Sequence, residues 1–226
     1  MNQKQVWNSI AQPWKQFRTK PILEVVEFLK AQEMKFLGSK KSRGDFSGNK
    51  KGKILDLGCG SGRNFIKIKG TIYGVDFSKK MLKLAEQSAK KNKIKAKFFE
   101  AEADKLPFKN NFFNAAIFIA TLHCIETSEK RENSLKELLR VLKPKSEALI
   151  TAWDKNQESF KNKPKENYFP WKHNNKKFMR YYYLYEKDEL IKILKKVGFE
   201  IIKVNNINEL SGNYSKRNIL VVVKKN

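Results

Sequence analysis

The chain has 226 residues, enough for a single core of ordinary size, and a formal charge of +25 from 48 Lys+Arg against 23 Asp+Glu. With 40% hydrophobic and 12% aromatic residues it is not a disordered basic tail. Two Cys and two His exclude a disulfide scaffold or zinc ribbon; no apolar run has membrane-spanning length, and residues 1–20 lack the apolar stretch of a secretion signal, so a soluble cytoplasmic protein is expected.

Val6–Phe36 reads as mostly helical, broken at Pro13 and Pro21, which makes residues 1–37 a helical cap. Residues 38–52 are polar, glycine-rich and basic, the pattern of a flexible loop. From Lys53 to Trp153 strands alternate with helices. Lys53–Leu57, Thr71–Val75, Lys97–Ala101, Ala115–Ala120 and Ala148–Trp153 read as strands. Ser78 caps a helix with Met81, Leu82, Ala85 and Ala89 on one face, and Leu135, Leu138, Leu139 and Leu142 mark another that Pro144 stops. Residues 154–187 form an insertion, with nine basic residues and nine aromatics between Lys155 and Lys187. Residues 188–226 hold a helix closed by Gly198, then two strands, Glu200–Asn206 and Asn218–Lys224, that pair antiparallel. The expected fold is α/β: one domain with a mostly parallel seven-stranded sheet, helices on both faces and an antiparallel last strand.

The charge admits two readings. Of the basic residues 41 are Lys and 7 Arg, beside 20 Asn, a bias that an A/T-rich coding sequence produces unaided. Its distribution is more informative: residues 1–53 carry +8, residues 54–154 carry +7 and residues 155–226 carry +10. The surplus lies in the flanks, as for a polyanion-facing surface around a more neutral centre.

The stretch Ile54-Leu-Asp-Leu-Gly-Cys-Gly-Ser-Gly62 carries the chemistry. Gly58, Gly60 and Gly62 after a buried strand let the backbone turn sharply and approach a ligand. The spacing is G-x-G-x-G with Asp56 two residues ahead, not the G-x-G-x-x-G of dinucleotide sites, although an NAD-binding domain stays an alternative. Asp76 ends the second strand, where a carboxylate accepts ribose hydroxyls, and Asp104 follows the third, placed for an adenine amino group. Cys59 reads as a small loop residue and not a nucleophile.

Together these residues resemble class I S-adenosyl-L-methionine-dependent methyltransferases over Lys53–Trp153. Two positions depart from that pattern: Asn114 stands where an Asp is usual before the fourth strand, and Pro144-Lys-Ser-Glu147 replaces a Pro-Gly-Gly turn. Further stretches resemble the tRNA wobble-uridine carboxymethyl methyltransferases: Val6-Trp-Asn-Ser-Ile-Ala11, Phe17-Arg-Thr-Lys-Pro21, Ile117–Cys124, Glu137–Pro144, Arg180-Tyr-Tyr-Tyr-Leu-Tyr185 and Lys216-Arg-Asn-Ile-Leu220. That family esterifies the carboxymethyl group on a wobble uracil of a tRNA anticodon stem-loop. The resemblance implies orienting roles for Arg18, Arg217 and His123, adds Phe77, Lys105 and Ala120 to the cofactor contacts, and leaves Trp14 either covering the cofactor or packing the first helices. It also implies a small zinc-binding activator subunit at the sheet edge, against Phe98 and Phe99. The basic aromatic insertion fits RNA contact, or burial of Tyr181–Tyr185 against the sheet with solvated Lys between. A small-molecule methyltransferase and a non-catalytic RNA-binding protein of the same fold are the other functional readings.

Overall fold

The computed structural model describes residues 1–38, 52–205, 214 and 217–226. The expected loop at 38–52 lies almost wholly outside the described residues, as does Lys216. In chain order the elements are α1 (Gln3–Gln16), α2 (Leu23–Gly38), β1 (Gly52–Leu57), β2 (Gly70–Asp76), α3 (Lys79–Lys91), β3 (Ala96–Glu100), β4 (Phe113–Ile119), α4 (Ser128–Val141), β5 (Leu142–Trp153), β6 (Glu166–His173), β7 (Lys176–Tyr183), α5 (Lys187–Val197), β8 (Phe199–Val204) and β9 (Asn218–Lys225).

Seven strands make one sheet in the order β3-β2-β1-β4-β5-β9-β8. The first five run parallel; β9 runs antiparallel to both β5 and β8, as the sequence led one to expect. Alternate residues of the central strands feed opposite cores. Ile54, Ala115, Ile117 and Leu149 pack with Val25 and Leu29 of α2, while Leu55, Phe118 and Ile150 pack with Leu135 of α4 and Leu190 of α5. Burial on both faces is why these strands are apolar almost without interruption. On the α2 face, α3 adds Leu82, Ala85 and Ala89 over Ile72.

Local signals account for most boundaries. The Ser78 hydroxyl accepts from the Met81 N–H at 3.2 Å, and Gly198 ends α5 at φ +112°. Asn114 does not weaken the fold where it replaces Asp: its Oδ1 accepts the Lys53 N–H at 3.1 Å and ties the start of β1 to β4.

Two features differ from the sequence reading, and a third decides between its alternatives. Helix α1 continues through Pro13 to Gln16; the ring forfeits the bond to the carbonyl four residues back, and its burial offsets part of that loss. The insertion contains an antiparallel hairpin, β6–β7, with Asn174 and Asn175 both at positive φ (47° and 57°). An Asn-Asn pair at the centre of a two-residue turn is a hairpin signal, masked here by flanking lysines. Tyr181, Tyr182 and Tyr185 are buried, so these three rings are core residues and do not face a nucleic acid. Strand β3 does form a sheet edge; its Phe98 packs on Phe65 and its Phe99 stacks on Tyr73, leaving both half-buried.

Candidate active site

The carboxyl ends of β1, β2 and β4 open onto a cavity beside the point where strand order reverses, the usual ligand position in a parallel α/β sheet. Backbone bonds set its floor. The N–H groups of Gly58 and Cys59 both donate to the Val75 carbonyl, at 2.8 and 2.9 Å, folding the glycine turn over the end of β2.

The glycines serve different ends. At Gly58 (φ +70°) a Cβ would lie 2.2 Å from the Thr121 side chain, so the turn fits only by its closeness to the loop after β4. At Gly60 (φ +52°) a Cβ would meet nothing within 4 Å: this backbone faces open space in the cavity wall. Gly62 packs on Ala85 of α3 and is not part of the wall. Opposite, Ala120 takes φ +50°, a strained conformation for a residue with a Cβ, stabilised by its N–H donating to Thr151 Oγ1 at 2.9 Å.

Two buried carboxylates lie behind this floor. Asp76 accepts from Gly60 N–H (2.9 Å) through Oδ2 and from Ser78 N–H (2.8 Å) through Oδ1, and it borders the cavity. Burial raises its pKa to about 6, the two N–H donors holding it lower than burial alone would. Asp56 lies deeper; burial and then the neighbouring Asp76 raise it to about 8, and its Oδ2 has no partner.

Trp7, Trp14, Arg18 and Gln3 close the cavity from above. Gln3 fixes α1 to the hairpin, donating to Met179 O (3.1 Å) and accepting from Tyr181 N–H (3.0 Å). Asn8 fixes it to α3, accepting from Ser78 Oγ and Lys80 N–H. The linker after α1 is tied down by Arg63, whose Nε donates to Lys20 O at 2.8 Å. Arg18 rests on the Trp14 ring, its Cζ 4.5 Å from the centroid.

Of the residues singled out by sequence, Trp14, Arg18, Gly58, Cys59, Gly60, Asp76, Phe77 and Ala120 share this cavity. Asp56 and Gly62 support it from behind. Asp104 and Lys105 do not reach it: the segment after β3 turns there, Lys105 N–H donating to Glu102 O, and presents Ala101, Glu102 and Ala103 instead. His123, read as an orienting residue, is 0% exposed, accepts the Trp153 N–H through Nδ1 and packs beside the stacked Trp153 and Tyr182 rings. Burial pushes its pKa down to about 3, so it is a neutral packing element and not a cation. Arg217 is exposed and outside the cavity walls; its backbone carbonyl accepts from Asp154 N–H and Gln157 Nε2. Sequence reasoning missed Gln3, Asn8, Arg63 and Thr121, whose roles depend on contacts between distant segments.

A family model described as a methyltransferase domain matches residues 48–198. The chain belongs to the methyltransferase-domain family. Among its relatives, the tRNA (carboxymethyluridine(34)-5-O)-methyltransferase of Arabidopsis thaliana is 35% identical over 107 residues, 46% of this chain and 25% of that protein. The Schizosaccharomyces pombe protein of the same name is 24% identical over 98% of this chain and 95% of its own length. The chain spans a quarter or less of the length of several relatives that it matches, the Arabidopsis protein among them. An S-adenosylmethionine-dependent methyltransferase from Methanosarcina mazei superposes with a TM-score of 0.62 at 23% identity, covering 77% of this chain and 92% of that one, a likeness of fold.

The cavity residues fit S-adenosyl-L-methionine, the cofactor that the sequence resemblance implies. The bare Gly60 backbone leaves room for close approach, and Asp76, at the cavity wall with its pKa raised by burial, is an acceptor suited to hydroxyl donors. The unpartnered Asp56 Oδ2 lies close behind. When bound, that cofactor supplies an electrophilic methyl group. Among the described residues no group of His, Cys, Asp and Glu could hold a metal ion, and no helix is long and apolar enough to cross a membrane.

Proposed function

We propose that this methyltransferase esterifies the carboxylate of 5-carboxymethyluridine at the wobble position of a tRNA anticodon. The observation that carries the RNA half of this reading is a second, open groove continuous with the cofactor cavity, the two sharing Arg18, Ser61 and Arg63. Its walls present Lys15, Arg18, Lys30, Arg63, Lys67, Lys91 and Lys93 and no Asp or Glu. Burial and the nearby Arg18 charge both lower the Arg63 pKa, so the two arginines repel each other across the shared rim. A phosphate backbone relieves that repulsion and releases counterions. The carboxymethyl acceptor follows the names of the relatives and the chemistry below.

A carboxylate of pKa near 4 is already ionised at neutral pH, so methylating it needs no general base. The site is consistent with that economy. His123 is buried and neutral, and the Cys124 thiol at the wall is pushed up by burial, so neither is poised to move a proton. What the protein contributes is alignment and a dry, ring-lined wall in which anion and sulfonium cancel. Arg18, held on Trp14 at the rim, orients the carboxylate; a stronger ion pair would favour the ground state over the transition state. His123 is a positioning residue that sets Trp153 and Tyr182. In the same reading an activator subunit covers the β3 edge at Phe98 and Phe99.

Incubation with labelled S-adenosylmethionine and tRNA bearing 5-carboxymethyluridine tests the proposal. The expected product releases its methyl in mild alkali, as an ester does. An alkali-stable methyl, or equal labelling of tRNA with plain uridine at that position, contradicts it.

A further inference from the structure

Beside the cavity, behind Trp14, the hairpin buries a cation that no carboxylate among the described residues neutralises. Arg180 of β7 is 8% exposed, yet among the described residues it forms no ion pair. Its Nη1 donates to the Tyr182 hydroxyl at 2.9 Å; its Nε is buried without an acceptor. Three aromatic faces surround it, with Cζ 5.4 Å from the Trp14 centroid, 5.2 Å from Trp171 and 5.2 Å from Tyr182. One of those neighbours shares its deficit: the Trp171 indole Nε1 is also buried with no acceptor.

Guanidinium and indole N–H groups only donate, so nothing within this pair can satisfy the other. Buried donors normally find acceptors, and a buried charge normally finds a counter-charge. Two orphaned donors in contact, one of them charged, therefore describe the missing group: an anion with at least two acceptor oxygens, flat enough to lie among rings. A carboxylate meets each condition, and the guanidinium fork matches it with two parallel hydrogen bonds. Position agrees with chemistry. Trp14 and Cys124 line the cavity, and the Arg180 charge pulls down on the Cys124 thiol. Side chains of α1 and the segment after it pack on this pair: Trp14 lies 5.3 Å from Trp171, and Phe17, 5.6 Å from Trp171, is 65% exposed. Trp14 is thus shared between the cavity wall and the rings around Arg180.

The geometry points to Arg180 and Trp171 as a binding site for the carboxylate of the acceptor, a contact added to that of Arg18 at the rim. It rests on the ester-forming reading above and names the residues that select this substrate over an uncharged uracil. A phosphate of the RNA backbone offers the same oxygens, and the test separates the two sources.

Two anticodon stem-loops, one with 5-carboxymethyluridine and one with plain uridine at the wobble position, are titrated by fluorescence anisotropy in the presence of S-adenosylhomocysteine. The wild-type protein prefers the carboxymethyl form. Trp171→Phe, which keeps a ring and loses the N–H, and Arg180→Lys, which keeps the charge and loses the fork, each reduce that preference about tenfold. Affinity for S-adenosylmethionine stays unchanged in both. A preference that survives both substitutions overturns the site. Equal weakening for the two RNAs also overturns it, showing a backbone phosphate at Arg180 and Trp171. A wild-type protein that neither prefers nor methylates the carboxymethyl RNA overturns the functional reading itself, and the carboxylate site with it.

Discussion

The two walls of the cavity are made of different materials. The floor, from Gly58 to Ser78, is backbone and buried carboxylate: N–H groups folded onto Val75 O and Asp76, and glycines at positive φ. The roof, from α1 and the β6–β7 hairpin, is aromatic rings and under-partnered cations: Trp7, Trp14, Trp171, Arg18 and Arg180. A floor of that kind suits a ligand held by backbone approach and hydroxyl-to-carboxylate contacts. A roof of rings and unpaired charge suits an anionic, flat acceptor, and its parts come from residues more than 150 positions apart in the chain.

The largest effect expected from breaking the floor is at Gly58. Gly58→Ala places a Cβ 2.2 Å from Thr121 at φ +70°, and should cost about 2–4 kcal/mol of stability while abolishing cofactor binding, measured by thermal denaturation and calorimetry. Gly60→Ala, where a Cβ meets open space, should cost about 1 kcal/mol and leave the fold intact, yet weaken the cofactor by filling its approach. Equal stability losses at the two glycines would erase the distinction.

Next in size, Asp76→Asn should weaken S-adenosylmethionine by roughly 1.5–3 kcal/mol, since it removes a charged acceptor but keeps the shape. The wild-type affinity should also depend on pH. Burial raises Asp76 to about 6, and hydroxyl donors and a cationic ligand favour its ionised form, so affinity rises as pH climbs through 6. Asp76→Asn should abolish that rise. Protein stability runs the other way: raised carboxylates at Asp56 and Asp76 contribute stability that is fully present below their unfolded pKa and lost as pH rises through about 6 and then 8. His123, depressed to about 3, acts in the opposite sense: the stability of its neutral form is complete above its unfolded pKa near 6.5 and is lost as pH falls through about 3.

The smallest effects lie on the groove. Lys67→Glu, Lys91→Glu and Lys93→Glu together should lower tRNA affinity and flatten its salt dependence by about one unit of log–log slope per lost cation, with cofactor affinity unchanged. Equivalent changes at Lys172, Lys176 and Lys177, beside the hairpin turn, provide the contrast that locates the RNA path.

This division also explains what could be read from the sequence. The strand–helix alternation, the antiparallel last pair, the Ser78 cap and the glycine turn follow from spacing that is local: a glycine run, an apolar run, a helix face. Asp104 lies outside the cavity walls, because an acidic residue after a strand has a position in the sequence but no direction, and the segment presents Ala101, Glu102 and Ala103 instead. His123 was misplaced because a histidine at a strand end gives no sign of the Trp153 and Tyr182 rings that close over it. Arg180 lay inside a stretch already linked to the family, but its missing counter-charge exists only once α1 packs on the hairpin. The loop read at 38–52 lies almost wholly outside the described residues. The net charge was the least informative feature as a sum; its value came from the groove, where positive residues meet with no carboxylate among them.

The claim that floor and roof do separate jobs is tested most directly by one pair of numbers on Arg18→Ala: the calorimetric affinity for S-adenosylmethionine and the turnover on carboxymethyl tRNA. The account predicts wild-type affinity with turnover reduced about a hundredfold, the scale of losing an orienting charged hydrogen bond. Wild-type turnover, or cofactor affinity weakened as far as by Asp76→Asn, would contradict it.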